Sequence, residues 1–331
     1  MLTCNLRCLH CYSTSSPSQR QSLSLEKLRH ALDIFRGEGF NGASISGGEP
    51  LLYPDLPDLL RHIRSLGMIA TVTTNAMLLN EERAAMIREN TDVVAVSLDG
   101  PPEFHNQLRG HPRAFERMSE GVGRLRDLGM PFAFIFTLTL HNLHQLEWVA
   151  SFAVAQGAAL LQVHPLEEVG RAAGELPGAA PDGLELARGF VEVARLQKLH
   201  SGRLSIQYDV ADVETLRKSP ERGYAAEPAP CNESFSSLPL ADLIAPVIIE
   251  ADGAIVPLQY NFSRTYQMGD INANVGERLE IWKKTCYPAF ASLCRRVYDR
   301  LLEPGHAEFP FVNWYGEMLQ ASHTTDLAKT A

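Results

Sequence analysis

Apolar positions in the first half of this chain fall into two alternating rhythms. Leu25, Leu28, Leu32 and Phe35 recur at helical spacing after Ser22 and Ser24, either of which can cap, and Gly37 and Gly39 close the run. A short apolar strand follows at 43–46, then a helix at 55–66 stopped by Gly67, and a strand at 68–74. The same alternation predicts helices at 80–89, 112–128 and 143–155, with strands at 93–98, 132–140 and 159–164. Strands and helices that alternate at this spacing imply right-handed βαβ units around a parallel sheet. If Met1 to Thr3 supply a first strand, the strand at 159–164 is the sixth. Only three residues are then left for that first strand, and the expectation is that the natural start lies upstream.

The texture changes near Arg171. Residues 170–183 are rich in Ala, Gly and Pro and read as a linker before a helix at 184–199. Further on, two apolar runs at 247–250 and 254–256 flank Asp252-Gly253, a hairpin turn signal. Helical character resumes at 277–284, and the tail from Thr324 is small and polar. The expected division is a core at 1–170, a linker and helical region at 171–230, and a smaller α+β region at 231–331.

At 331 residues, with 45% hydrophobic and 21% charged residues, the chain has the composition of an ordinary globule. A net charge of −9 argues against a nucleic-acid partner, which would call for a basic surface. There is no apolar run of about 18 residues and no signal-peptide pattern, so the expectation is no membrane span and a cytoplasmic protein. Six Cys, three of them clustered, fit a reducing compartment and metal ligation better than secretory cross-linking.

The clustered thiols carry the chemistry. Cys4, Cys8 and Cys11 lie in one short loop, T-C-N-L-R-C-L-H-C-Y. An iron–sulfur cube held by three thiolates keeps one iron open for a substrate or cofactor. The alternative is a zinc knot with His10 as fourth ligand. Gly47 and Gly48, without Cβ atoms, allow the backbone close to a ligand, although Gly-Gly-Glu-Pro alone is an ordinary strand-to-helix turn.

Cys4-x3-Cys8-x2-Cys11 followed by Gly47-Gly48-Glu49-Pro50 resembles the radical S-adenosylmethionine (radical SAM) enzymes. The resemblance implies an α/β fold, a partial (β/α)6 TIM-like barrel, with its chemistry at the C-terminal ends of the strands. It implies a 4Fe–4S cluster on the three Cys, with SAM chelating the open iron. An electron from the cluster then splits SAM, and the resulting 5′-deoxyadenosyl radical abstracts hydrogen from a C–H bond. Glu49 and the backbone from Gly47 to Pro50 would lie near the SAM amino group. His10 would lie against the adenine, and Tyr12 either shares that task or packs the loop.

Ser97-Leu98-Asp99-Gly100 with Arg109 looks like the Ser-Leu-Asp-Gly…His-Asp-x-x-Arg signature of radical SAM proteins with a C-terminal cluster-binding extension. There the Ser and Arg hold the SAM carboxylate, a task suited to the two-pronged guanidinium. Asn106 stands where the family usually has Asp. Asp99 reads equally as a helix cap or a substrate contact, and Thr73, Thr74 and Asn75 end a strand on the same rim. His164 can contact adenine or substrate, or be a satisfied buried His.

Cys231, the Asp252-Gly253 hairpin and Met268-Gly269-Asp270-Ile271 resemble the SPASM extension. That extension binds two auxiliary clusters through seven or more Cys, whereas here only Cys231, Cys286 and Cys294 remain and Leu258 stands at a usual Cys position. Two auxiliary clusters are excluded by ligand count, and unligated thiols are the favoured reading. The expected function is a radical SAM enzyme acting on a peptide or protein, with tetrapyrrole side-chain modification as the alternative substrate class. A non-catalytic iron–sulfur or zinc protein is the alternative of another class. Expected partners are a peptide or small-molecule substrate and reduced flavodoxin or ferredoxin as electron donor.

Overall fold

Six parallel strands form one sheet in sequence order: β1 (Gly42–Ile45), β2 (Ile69–Thr74), β3 (Val93–Ser97), β4 (Phe132–Leu138), β5 (Leu160–Pro165) and β6 (Ser205–Tyr208). This is a computed structural model, and it describes residues 1–224, 237–303 and 309–327. Thr74, Val96, Phe134, Leu161 and Ile206 are register partners in turn across β2 to β6. All five are buried, so the central strands read as apolar runs, as a sheet covered by helices requires.

The helices of the first half are α1 (Leu25–Gly37), α2 (Leu56–Ser65), α3 (Glu81–Asn90), α4 (Pro102–Arg109), α5 (Ala114–Asp127) and α6 (Leu146–Gln156). Each forms where apolar spacing and caps coincide. In α2, Leu56, Leu59, Leu60 and Ile63 make one buried stripe, and in α3 the Asn80 side chain accepts from Arg83 N at 2.9 Å. Helices α7 (Ala172–Glu175) and α8 (Gly183–Leu199) then lead from β5 into β6, and Asp182 caps α8 by accepting from Glu185 N at 2.8 Å.

Two features depart from the sequence expectation. The sixth strand of the sheet is Ser205–Tyr208, and Met1 to Thr3 make only an isolated bridge, Thr3 to Ser16. The pattern at β6 is too short to register, because Ile206 is its one fully buried residue. The second is α4, which Pro101 and Pro102 masked; it begins at the proline that a first helical turn tolerates.

The chain divides into two compact units, Met1–Ser22 with Asn41–Asp209, and Leu23–Phe40 with Val210–Ala331. The first unit holds the whole sheet, so α7, α8 and β6, which the sequence assigned to a linker region, are barrel elements. The architecture is α/β, a partial (β/α)6 barrel.

The second unit holds α1 together with β7 (Ala211–Asp212), α9 (Val213–Lys218), α10 (Leu240–Leu243), β8 (Val247–Ile249), β9 (Ala254–Pro257), β10 (Gly269–Asp270), α11 (Val275–Thr285), α12 (Tyr287–Leu302), β11 (Phe311–Val312) and α13 (Trp314–Leu327). Strands β8 and β9 are the expected antiparallel hairpin, with β10 added beside β9. Its core gathers Phe262, Tyr266, Trp282 and Phe290, and Trp282 Nε1 donates to Tyr266 O at 3.1 Å. Lys283, 3% exposed, is neutralised by Glu38 at 2.7 Å and Glu280 at 3.2 Å. Among the described residues no helix is long and apolar enough to cross a membrane.

Candidate functional site

The loop that carries Cys4, Cys8 and Cys11 is fixed by the C-terminal ends of the strands. On the β1 side, Gly48 N donates to Met1 O and Glu49 N to Thr3 O, both at 2.9 Å. A Cβ on Gly48 would stand 2.1 Å from Thr3 O, so the room that Gly47 and Gly48 provide is filled by the chain's own Met1–Thr3 backbone. Tyr12 OH bonds Ser46 Oγ at 3.0 Å on the same side.

Glu49 is completely buried. Its Oε1 accepts from Thr74 Oγ1 at 2.6 Å and from Leu51 N at 3.1 Å, while Oε2 accepts from Asn75 N at 2.9 Å. Burial raises its pKa in spite of those donors. Glu49 thereby stitches the end of β1 to the end of β2. From β2, Asn75 Nδ2 reaches into the cysteine loop and donates to Asn5 Oδ1 at 2.9 Å.

On the β3 side, Leu9 N donates to Leu108 O of α4 at 2.9 Å. Arg109 Nε lies 2.6 Å from Asp99 Oδ2, and its Nη1 lies 3.8 Å from Cys8 Sγ. Asp99 is fully buried and also faces His10 Nε2 at 3.9 Å and His105 Nδ1 at 3.8 Å. Burial alone would raise the Asp99 carboxyl, but Arg109, His10 and His105 outweigh it and hold it at about 2. Burial pushes both His10 and His105 down to about 4, against the pull of Asp99, so the rings are neutral at pH 7. Asp99 Oδ1 and His10 Nδ1 are buried without a hydrogen-bond partner, which leaves polar capacity aimed into the site.

Every site residue named from the sequence except His164 lies in or beside this group. Pro50 opens the turn that Glu49 caps, and Ser97 ends β3 half-buried. Asp99 is a partner for Arg109 and not a helix cap. Asn106, at the position where Asp is usual, braces α4 against α5 by donating to Pro112 O and accepting from Phe115 N, both at 2.8 Å. His164 stands on β5, where its Nδ1 meets Asp209 Oδ2 at 3.2 Å, and Gln162 donates to the same oxygen. Burial would lower the His164 pKa, but Asp209 and Glu167 raise it.

Sequence reasoning passed over Asn5, Ser46, Asp209 and Arg171. None carried a local signal, Asp209 included, because the short S-I-Q-Y strand it follows has no readable pattern.

The donor set fits an iron–sulfur cluster. Cys4, Cys8 and Cys11 are free thiols, the first two 8% exposed and Cys11 more open. Burial, reinforced by the neighbouring thiols and Glu49, pushes Cys4 up to about 12, and burial raises Cys8 against the pull of Arg109. Such thiols release protons when they take iron. Among the described residues no three His, Cys, Asp or Glu side chains are placed to hold a single metal ion, which a zinc knot requires. A cube instead takes its thiolates on separate irons.

The other described thiols lie in the second unit. Cys286 sits at the α11–α12 junction and Cys294 is fully buried in α12, eight residues on. At a helical rise of about 1.5 Å per residue they stand about 12 Å apart along the axis. Cys231 lies outside the described residues.

A partial α/β barrel whose strand ends grip a loop of three free thiols defines a class of iron–sulfur protein. Residues 1–153, a little under half of the chain, match the model of the Radical SAM superfamily. The superfamily uses a 4Fe–4S cluster and SAM.

Among curated relatives, the AdoMet-dependent heme synthase of Oleidesulfovibrio alaskensis is 31% identical over 174 residues, 52% of this chain and 45% of that protein. The Fe-coproporphyrin III synthase of Methanosarcina barkeri is 28% identical over 309 residues, 88% of this chain and 74% of that protein. The PqqA peptide cyclase of Streptomyces rochei is 26% identical over 239 residues, 72% of this chain and 63% of that protein. The chain thus spans about half the length of several of the heme synthases it matches. Among solved structures, Streptococcus suis SuiB bound to S-adenosylmethionine superimposes with a TM-score of 0.66 at 16% identity, covering 93% of this chain and 74% of SuiB. That likeness is one of fold.

Proposed function

We propose that the chain is a radical SAM enzyme that abstracts hydrogen from a peptide or protein side chain. The observation that carries the reading is the loop of Cys4, Cys8 and Cys11, held by β1, β2 and α4 beside the buried Asp99–Arg109 pair. When bound there, the cluster and SAM supply the electron and the hydrogen-abstracting radical. The chain's own residues bind and orient. The three thiols hold iron, and the backbone of Gly47 to Pro50 shapes one wall. Arg109, already neutralised on one edge by Asp99, offers its remaining N–H groups to a carboxylate. His10 presents a neutral ring for stacking on a base. Ser97 at the end of β3 and His164 on β5 are the remaining candidates for substrate or adenine contact.

The peptide class rests on the match to a peptide cyclase, and the second unit is read as a SPASM-like extension without an auxiliary cluster. A second reading, tetrapyrrole side-chain modification, is favoured by the length of the match to Fe-coproporphyrin III synthase. The electron donor is reduced flavodoxin or ferredoxin, and the compartment is the cytoplasm.

The test is anaerobic reconstitution with iron and sulfide, reduction, and assay of SAM conversion to 5′-deoxyadenosine and methionine. A protein that holds about four irons per chain and forms no deoxyadenosine would overturn the enzymatic reading. Deoxyadenosine formation stimulated by iron-coproporphyrin, and not by candidate peptides encoded beside the gene, would move the substrate to the second class.

A further inference from the structure

The cysteine loop is gripped from one more side, by the segment after β5, where Glu175 pairs with Arg7 at 3.1 Å on the surface and Arg171 reaches the loop's backbone. Arg171 Nη1 donates to Cys8 O at 2.8 Å, Nη2 donates to Ser15 O at 2.7 Å, and the Arg171 backbone N donates to Cys11 O at 2.9 Å. Two ligand carbonyls and the carbonyl that closes the loop are therefore taken by a residue 163 positions beyond Cys8. A planar fork holds two carbonyls several residues apart in one rigid geometry, whereas an ammonium offers rotatable donors on a flexible stem.

Gly170 brings the fork into place. Its φ is +60°, and a Cβ there would lie 2.1 Å from Tyr12 O and 2.8 Å from Cys11 O, so the two backbones meet where no L side chain fits. Neither residue falls within the 1–153 stretch that matches the superfamily model.

We propose that Arg171, seated by Gly170, is a positioning residue that latches the cluster-ligand loop and places a permanent positive charge beside the cluster. The inference rests on the radical SAM reading for its cluster, and on this chain's own geometry for its latch. The guanidinium fixes the Cys8 and Ser15 carbonyls and the Arg171 backbone N fixes that of Cys11, so side chain and backbone together set the spacing of two of the three thiols. The charge stabilises the reduced, more negative cluster and so raises its potential. Removing the charge has the opposite effect.

The experiment compares full-length wild type, Arg171→Lys and Arg171→Gln. In the apo-proteins, alkylation of Cys8 and Cys11 is followed by peptide mass spectrometry, with Cys286 as internal reference. The expected result is several-fold faster labelling of Cys8 in both variants, a smaller change at Cys11, whose carbonyl the Arg171 backbone still holds, and no change at Cys286. After anaerobic reconstitution, iron release to a chelator should be several-fold faster in both variants. The midpoint potential should move to more negative values in Arg171→Gln and stay near wild type in Arg171→Lys.

Wild-type labelling and release rates in both variants overturn the latch, and an unmoved potential in Arg171→Gln overturns the charge effect. If Arg171→Gln fails to fold, Arg171→Lys alone decides the latch, since unchanged labelling there is incompatible with a required fork. If the wild type assembles no cluster, the radical SAM reading fails while the labelling comparison still tests the latch.

Discussion

Asp99 and Arg109 form a buried ion pair, Oδ2 to Nε at 2.6 Å, at the end of the sheet that carries the cysteine loop. The pair couples fold to site, since the same guanidinium reaches Cys8 Sγ at 3.8 Å. Replacing Asp99 by Ala strands a buried guanidinium and should destabilise the protein by about 3–5 kcal/mol. Urea unfolding of the apo-protein measures this as a lower midpoint. The Arg109→Ala variant should in addition weaken SAM binding by about 1.5–3 kcal/mol, the range for a hydrogen bond to a charged group. Calorimetry on reconstituted protein reads that loss.

Gly48 admits no side chain, because its Cβ would sit 2.1 Å from a backbone oxygen that cannot swing away. Gly48→Ala should cost about 1–3 kcal/mol, at the upper end of that range, by forcing Met1–Thr3 off the turn. The thermal midpoint should fall, and iron uptake with it.

The His164–Asp209 pair gives a pH signature. The His164 pKa is raised in the folded protein, so its contribution to stability is complete below the ordinary His value of about 6.5 and is lost as pH rises through the raised value. The side chain is 39% exposed, and solvent screening limits the effect to about 0.2–1 kcal/mol. Urea midpoints of wild type and His164→Gln, measured across neutral pH, should differ most on the acid side and converge as the pH rises.

Replacing Cys286 and Cys294 by Ser should leave about four irons per reconstituted chain, the content of one 4Fe–4S cluster. Replacing Cys4, Cys8 and Cys11 should remove them all. Cys294→Ser introduces a hydroxyl into an apolar core and should lower stability by about 1–3 kcal/mol without touching iron content. Iron analysis and thermal melts separate the two effects.

Strands β2 to β5 were legible because each carries enough apolar periodicity to declare itself, as in the alternation of Ala70 and Val72, and β1 because it runs into Gly47-Gly48-Glu49-Pro50. Strand β6 was not, since one buried Ile in four residues is no pattern. The thiol triplet and Glu49 stand out in the sequence by spacing and composition. Glu49's task as a stitch to Thr74 and Asn75 does not, because a hydrogen bond between consecutive strand ends has no periodicity to betray it. Arg171 was invisible for the same reason: an arginine in an Ala- and Gly-rich stretch looks like solvated linker until β5 brings it back over Cys8.

The distance along the chain between Cys8 and Arg171 also sets an order of events during synthesis. The ligand loop leaves the ribosome long before the residue that latches it, and the strands that frame it emerge one by one in between. Nascent thiols are therefore present without a cradle while the stretch from Cys11 to Arg171 is made. With the proposed latch, iron–sulfur delivery would follow completion of the barrel, and a carrier that loads clusters onto a growing chain would find no finished seat.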